Sequence, residues 1–465
     1  MAFRTEHDGL GERQVPEDAL YGVQTLRAVE NFPISGVRLS SFPLLIRALA
    51  CVKQAAAAAN RDLGLLEPRI AEAIVAACEE VRGGMHGAHF VVDMIQGGAG
   101  TSTNMNANEV IANRALELLG LPRGAYDRCH PNNHVNLSQS TNDVYPTALK
   151  VAAAWKVRGV LAEMRALQEA LAAKGREFAG IMKMGRTQLQ DAVPMTLGME
   201  FDAWAVTVGE DVDRLDEASR LVNEVNLGAT AIGTGINTVE GYAEAAIRHL
   251  VALTGLPLVI SPNLVEATSD AGAFVQLSGV LKRIAVKLSK VCNDLRLLSS
   301  GPRTGFAEIR LPPMQPGSTI MPGKVNPVIP EVVNQVCFQI VGNDVTITMA
   351  AEAGQLQLNA FEPIIAFNLF QSLQVLERAL RVLRERCVAG IEANEDRCRD
   401  HVERSIGLVT ALVPRLGYEE ATRIALTALA TGRTVRDLAV ASGKLSPDEV
   451  DDLLDPAKMT RPSRL

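Results

Sequence analysis

The chain has 465 residues, with 46 Lys and Arg against 53 Asp and Glu, and a formal charge of −7. Hydrophobic residues make up 47%, charged residues 21% and aromatics 4%, an ordinary globular balance far from the charged, apolar-poor composition of disorder. So acidic and aromatic-poor a chain argues against an electrostatic nucleic-acid binder and against a stacking platform for single strands.

The length allows two to four domains. The N-terminus carries Arg4, Glu6 and Asp8 and no apolar h-region, so a secretory signal is not expected. The seven cysteines are scattered, with no C-x-x-C pair, which predicts free thiols in a reducing cytoplasm. Residues 1–139 form a Gly/Pro-punctuated section that ends near CHPNNHVNLSQSTND. Its histidines, His86 with His89 and His130 with His134, match no zinc spacing, so no metal is expected.

Helical periodicity dominates residues 140–395. Ala148, Ala152, Trp155, Met164, Leu167 and Leu171 predict one helix. Phe201, Ala205, Val208, Val212, Leu215, Ser219 and Val222 are spaced 4, 3, 4, 3, 4, 3. Leu277, Leu281, Ile284, Leu288, Val291, Leu295 and Leu298 repeat that pattern, as do Leu369, Leu373, Leu376, Leu380 and Leu383. Such seams pack helices at shallow angles and predict an all-α, mostly helical bundle, with a further face buried against copies of itself. Hairpin signals are scarce. The longest charge-free apolar window, His249–Val265, is broken by Gly255, Pro257, Pro262 and Asn263, so no membrane span is expected. Residues 396–465 read as shorter helices, with turns at Pro414–Gly417 and Gly443–Pro447.

Four charge-free polar windows interrupt these helices: Met94–Asn108, Cys129–Asn142, Val225–Val239 and Leu311–Gly323. Their hydroxyls, amides and backbone N–H groups can donate to an anion without bringing counter-charge. For any single window the plainer reading is a turn or helix cap. Four together point to a site. The last continues as QPGSTIMPGKVNP and fails as a phosphate loop. Five residues separate Gly317 from Gly323, and Val325 stands where Ser or Thr is required. Its glycines and its three prolines fit a bent loop that opens and closes over a ligand. It brings Ser318, Thr319, Lys324 and Asn326 into one short span. Lys324 has no adjacent acid, and is either a solvated lysine or an anchor for a carboxylate.

With these residues in view, GSTIMPGKVNP closely resembles the signature of the aspartase/fumarase superfamily. GGAGTSTNMNANEVIANRA, SQSTNDVYPTA, GRTQLQDAVPMTLG and GATAIGTGIN resemble its other stretches, in collinear order over essentially the whole chain. The resemblance implies a three-domain, mostly α subunit, with domains 1–139, 140–395 and 396–465. It also implies a homotetramer with a central helical core and active sites built from three subunits. No cofactor is implied, and the partners are small molecules.

Two branches compete. Fumarases typically carry His at the position of Gln188, and SSN where this chain has Ser140-Thr141-Asn142. Val328–Pro363 resembles the aspartase branch throughout. The expected reaction is reversible conversion of L-aspartate to fumarate and ammonia, with class II fumarate hydratase as the alternative. A non-catalytic structural protein on the same scaffold, as in lens crystallins, is the reading from another class. The presence of Ser318, Lys324 and Asn326 argues against it. By resemblance Ser318 is the base that takes the C3 proton. Thr101, Ser140, Thr141 and Thr319 hold the β-carboxylate. Lys324, Asn326 and Thr187 hold the α-carboxylate, Asn142 and Gln188 face the amino group, and Met321 completes the substrate contacts. Thr319 replaces the more common Ser, keeping a hydroxyl and adding a methyl.

Overall fold

A computed structural model describes residues 2–462. The predicted seams become the long helices Thr141–Glu177, Leu197–Ser219, Gly272–Leu298 and Glu362–Arg386, joined by Val328–Glu352. The alternating 3–4 spacing puts one apolar side chain per turn on a single stripe, which the helix can bury whole. All seven seam positions from Leu277 to Leu298 are buried, as are the five from Leu369 to Leu383.

The chain divides into two compact units. The first comprises Met1–Leu161, Asp213–Ala285 and Phe338–Glu377. In it, Pro43–Asp62 packs against Pro68–Arg82 and Tyr242–Thr254. Ala57, Ile74, Ala77, Cys78, Ile111, Ala115 and Leu116 form a core there. The second unit comprises Ala162–Val212, Val286–Cys337 and Arg378–Leu465. Its C-terminal helices enclose Val402, Leu412, Ile424, Val435, Leu438 and Val450, and Met184 joins that core.

Strands are few and short. One antiparallel hairpin pairs Phe3–Asp8 with Gly11–Pro16. A second pairs Met182–Thr187 with Gln190–Thr196. This second hairpin carries two predicted site residues and was not legible as a hairpin. Its two-residue turn is Gln188-Leu189, in place of the usual Asn-Gly or Asp-Gly signal. Both turn residues nevertheless take left-handed backbone, φ 54° and 64°. Non-glycine residues held there cost on the order of 1–3 kcal/mol each, and such strain concentrates at functional sites.

Candidate functional site

In the first unit three of the four polar windows converge. Gly98, Ala99 and Gly100 hold positive φ and lead into the helix Thr101–Leu118, with exposed Thr101 in its first turn. Asn104, one turn on, donates from Nδ2 to Thr141 Oγ1 at 3.1 Å. The helix Thr141–Glu177 starts immediately after half-buried Ser140, whose N–H donates to Asp143 Oδ1 at 2.9 Å. Asp143 Oδ2 accepts from the N–H groups of Gly228 and Thr230, each at 3.0 Å. The anion held by these amides of the third window is therefore a carboxylate of the chain itself.

Pro146 adds a second tie. A proline inside a helix cannot donate to the carbonyl four residues earlier, which here belongs to Asn142. Asn226 Nδ2 fills that vacancy, donating to Asn142 O at 3.0 Å. The Asn142 side chain in turn donates from Nδ2 to Ala231 O at 2.7 Å. One proline thus locks the end of Ser140-Thr141-Asn142 onto the third window.

Beneath this surface lies a cation. Lys53 is fully buried, and its Nζ donates to Asn136 Oδ1 at 2.8 Å and Gln139 Oε1 at 2.9 Å. Asn136 Oδ1 also accepts from Asn104 and Asn108, each at 3.2 Å. Burial pulls the Lys53 ammonium down to about 7, against the opposing influence of Asp143. Burial likewise pushes the Asp143 carboxyl up to about 6, opposed by its backbone donors and by Lys53. Asp143, Asn226, Asn104 and Lys53 escaped the sequence reading. Two signals were available: a proline inside a helical pattern, and one lysine in the apolar run LACVKQAAAAAN.

The second unit holds the remaining predicted residues. Between the strand Ile309–Arg310 and the helix Val328–Glu352 the chain is irregular and folds back on itself. Gly317 N donates to Lys324 O, and Asn326 Nδ2 donates to Gly317 O, both at 2.7 Å. A Cβ on Gly317 would lie 2.8 Å from Asn326 N and from Lys324 O, so this closure requires glycine. Ser318 sits in the closed loop, half-buried. Its Oγ accepts from the N–H groups of Met321 at 3.0 Å and Ile320 at 3.2 Å. Two backbone dipoles aimed at a hydroxyl oxygen favour negative charge on it. Thr319, Met321 and Lys324 are exposed, and Lys324 makes no ion pair among the described residues. Thr187 and Gln188 stand exposed at the hairpin tip.

Other chemistry is accounted for locally. His130 Nδ1 accepts from Asn132 N and His134 Nδ1 from His130 N. Among the described residues no cluster of three or more His, Cys, Asp or Glu could hold a metal ion, and no helix is long and apolar enough to cross a membrane.

Known proteins resemble this chain in sequence and fold. Residues 11–342 match the family described as Lyase, and residues 408–461 match the fumarase C C-terminus. The chain belongs to this lyase family. One member, the aspartate ammonia-lyase of Pseudomonas fluorescens, is 61% identical over 99% of this chain and 97% of its own length. The fumarate lyase:delta crystallin structure from Brucella melitensis superposes with a TM-score of 0.96 at 60% identity, covering 99% of this chain and 100% of that one. A class II fumarase from Schistosoma mansoni superposes with a TM-score of 0.94 at 36% identity, with the same coverages. The lyase fold, mostly α with long central helices, is thus the one expected from the sequence.

Proposed function

We propose that this lyase is an aspartate ammonia-lyase, eliminating ammonia reversibly from L-aspartate to give fumarate. The observation that carries this is the 61% identity, end to end, to a named aspartate ammonia-lyase, against 36% to a class II fumarase of the same fold. Its test is the release of fumarate and ammonia in equal amounts from L-aspartate. No release of either product from L-aspartate would reject the reading.

The chemistry demands removal of a weakly acidic C3 proton beside the β-carboxylate. Ser318 Oγ takes it as an alkoxide, stabilised by the N–H groups of Ile320 and Met321. The electron pair moves into the β-carboxylate, giving an aci-carboxylate with added charge. Thr101, Ser140, Thr141 and Thr319 donate to it where that charge develops. Collapse of this intermediate forms the C2–C3 double bond and expels ammonia. Lys324, Asn326 and Thr187 hold the α-carboxylate. Asn142, with its Nδ2 committed to Ala231 O, keeps Oδ1 as acceptor for the amino group, with Gln188 beside it. Met321 lines the substrate, and loop closure excludes water.

We further propose a cytoplasmic homotetramer with active sites assembled from three subunits, each subunit divided at 139/140 and 395/396. Phe338, Gly342, Val345 and Met349 support the assembly. They recur every three or four residues on Val328–Glu352, and the three apolar side chains are 63%, 55% and 67% exposed. Such a stripe suits burial against other copies. All seven cysteines are free and buried, in keeping with a reducing compartment. Sedimentation should give four times the chain mass; a monomer would refute the assembly.

A further inference from the structure

Lys183 and Arg186 lie three residues apart on the strand Met182–Thr187. On a regular strand they would face opposite sides. The register shifts between Met184 and Arg186, at the glycine between them, Gly185, whose Cβ would stand 2.9 Å from Val193 O. This irregularity lets both cations reach one carboxylate. Glu308, fully buried, accepts from Arg186 Nη1 at 2.6 Å on Oε1, and His401 Nδ1 lies 3.0 Å from the same oxygen. Lys183 Nζ stands 3.1 Å from Oε2 as an ion pair and also hydrogen-bonds Glu200. The Arg186 guanidinium also stacks 4.2 Å above the Phe306 ring. Burial pushes the Glu308 carboxyl up, but Lys183 and Arg186 outweigh it and hold it below the ordinary carboxylate range.

The backbone of Glu308 is fixed as well. Its N–H donates to Leu298 O at 2.9 Å, and its C=O accepts from Asn394 N at 2.8 Å. Immediately beyond it, the strand Ile309–Arg310 leads into the Ser318 loop. Immediately beyond Arg186 come Thr187 and the strained turn at Gln188. A single buried carboxylate therefore stands at the root of both segments. Stability alone is a weak explanation for such a group, since buried ion pairs are often no better than apolar packing.

We propose that Glu308 is a positioning residue for the elimination, fixing through Lys183 and Arg186 the hairpin tip that presents Thr187 and Gln188 to the substrate. The inference rests on the reading of that tip as substrate-binding. Its test is a double-mutant cycle in the full-length enzyme, with E308Q, T187A and E308Q/T187A assayed on L-aspartate and their folding followed by circular dichroism. E308Q should lower kcat/KM by about 10- to 100-fold, the scale of a misplaced substrate contact, chiefly through KM. In the T187A background the same change should cost several-fold less, because one of the two contacts it positions is already gone. An equal loss in both backgrounds, or no loss in either, overturns the proposal. If T187A alone leaves kcat/KM unchanged, the underlying reading of the hairpin fails instead, and the inference falls with it. Should E308Q not fold, R186K replaces it in the same cycle, with the same outcomes deciding.

Discussion

Ser318→Ala should lower kcat on L-aspartate by about two to four powers of ten, the range for loss of a general base. The fold should be unaffected. The hydroxyl is half-buried, and its hydrogen bonds come from Ile320 and Met321 in the same loop. The loop closes instead through Gly317, Lys324 and Asn326, which the substitution leaves intact. Unchanged melting and unchanged oligomer mass, together with near-absent turnover, are the expected result. Turnover within tenfold of the parent enzyme would remove Ser318 from the base role. Lys324→Ala serves as the contrast. An exposed anchor for the α-carboxylate should act mainly on KM, and an unaltered KM would reject that role.

Asp143→Ala should be the most damaging change outside the loop. Its two carboxylate oxygens satisfy three backbone N–H groups, those of Ser140, Gly228 and Thr230. Each buried donor left without an acceptor costs about 1–3 kcal/mol, so several kcal/mol of stability are at stake. Two of these donors, Gly228 and Thr230, tie the start of this helix to the third window, beside the hydrogen bonds of Asn142 with Asn226 and Ala231. Activity should therefore fall by about 100-fold or more even where the protein remains folded, the scale expected for misplaced substrate contacts. Asp143→Asn keeps one acceptor oxygen and should lie between the two. Thermal melting and kcat/KM measured on both variants check this. An alanine variant with parental melting and parental activity would show that the two windows do not depend on this carboxylate.

Three of the long helices were legible because their seams repeat every three or four residues without interruption, and burial follows that stripe from Leu277 to Leu298. The polar windows were legible as compositions but not as a network. What each group does depends on long-range partners. Asp143 spends its charge on Gly228 and Thr230, 85 and 87 residues away. The Gln188-Leu189 turn was hidden for a related reason. Neither residue favours left-handed backbone, so the sequence carries no turn signal, and the hairpin is gripped from outside itself: Glu308 accepts from Arg186 on one strand. On the other, Ser405 donates to Asp191 at 2.8 Å. Lys53 was hidden because an isolated lysine in a helix is usually solvated. Its burial is visible once Asn136 and Gln139 are folded over it.

The most direct measurement follows fumarate absorbance in parallel with L-aspartate and with L-malate as sole substrates. Steady fumarate formation from L-aspartate, with little or none from L-malate, is the expected result. Turnover of L-malate alone would contradict it and assign the chain to the hydratase branch.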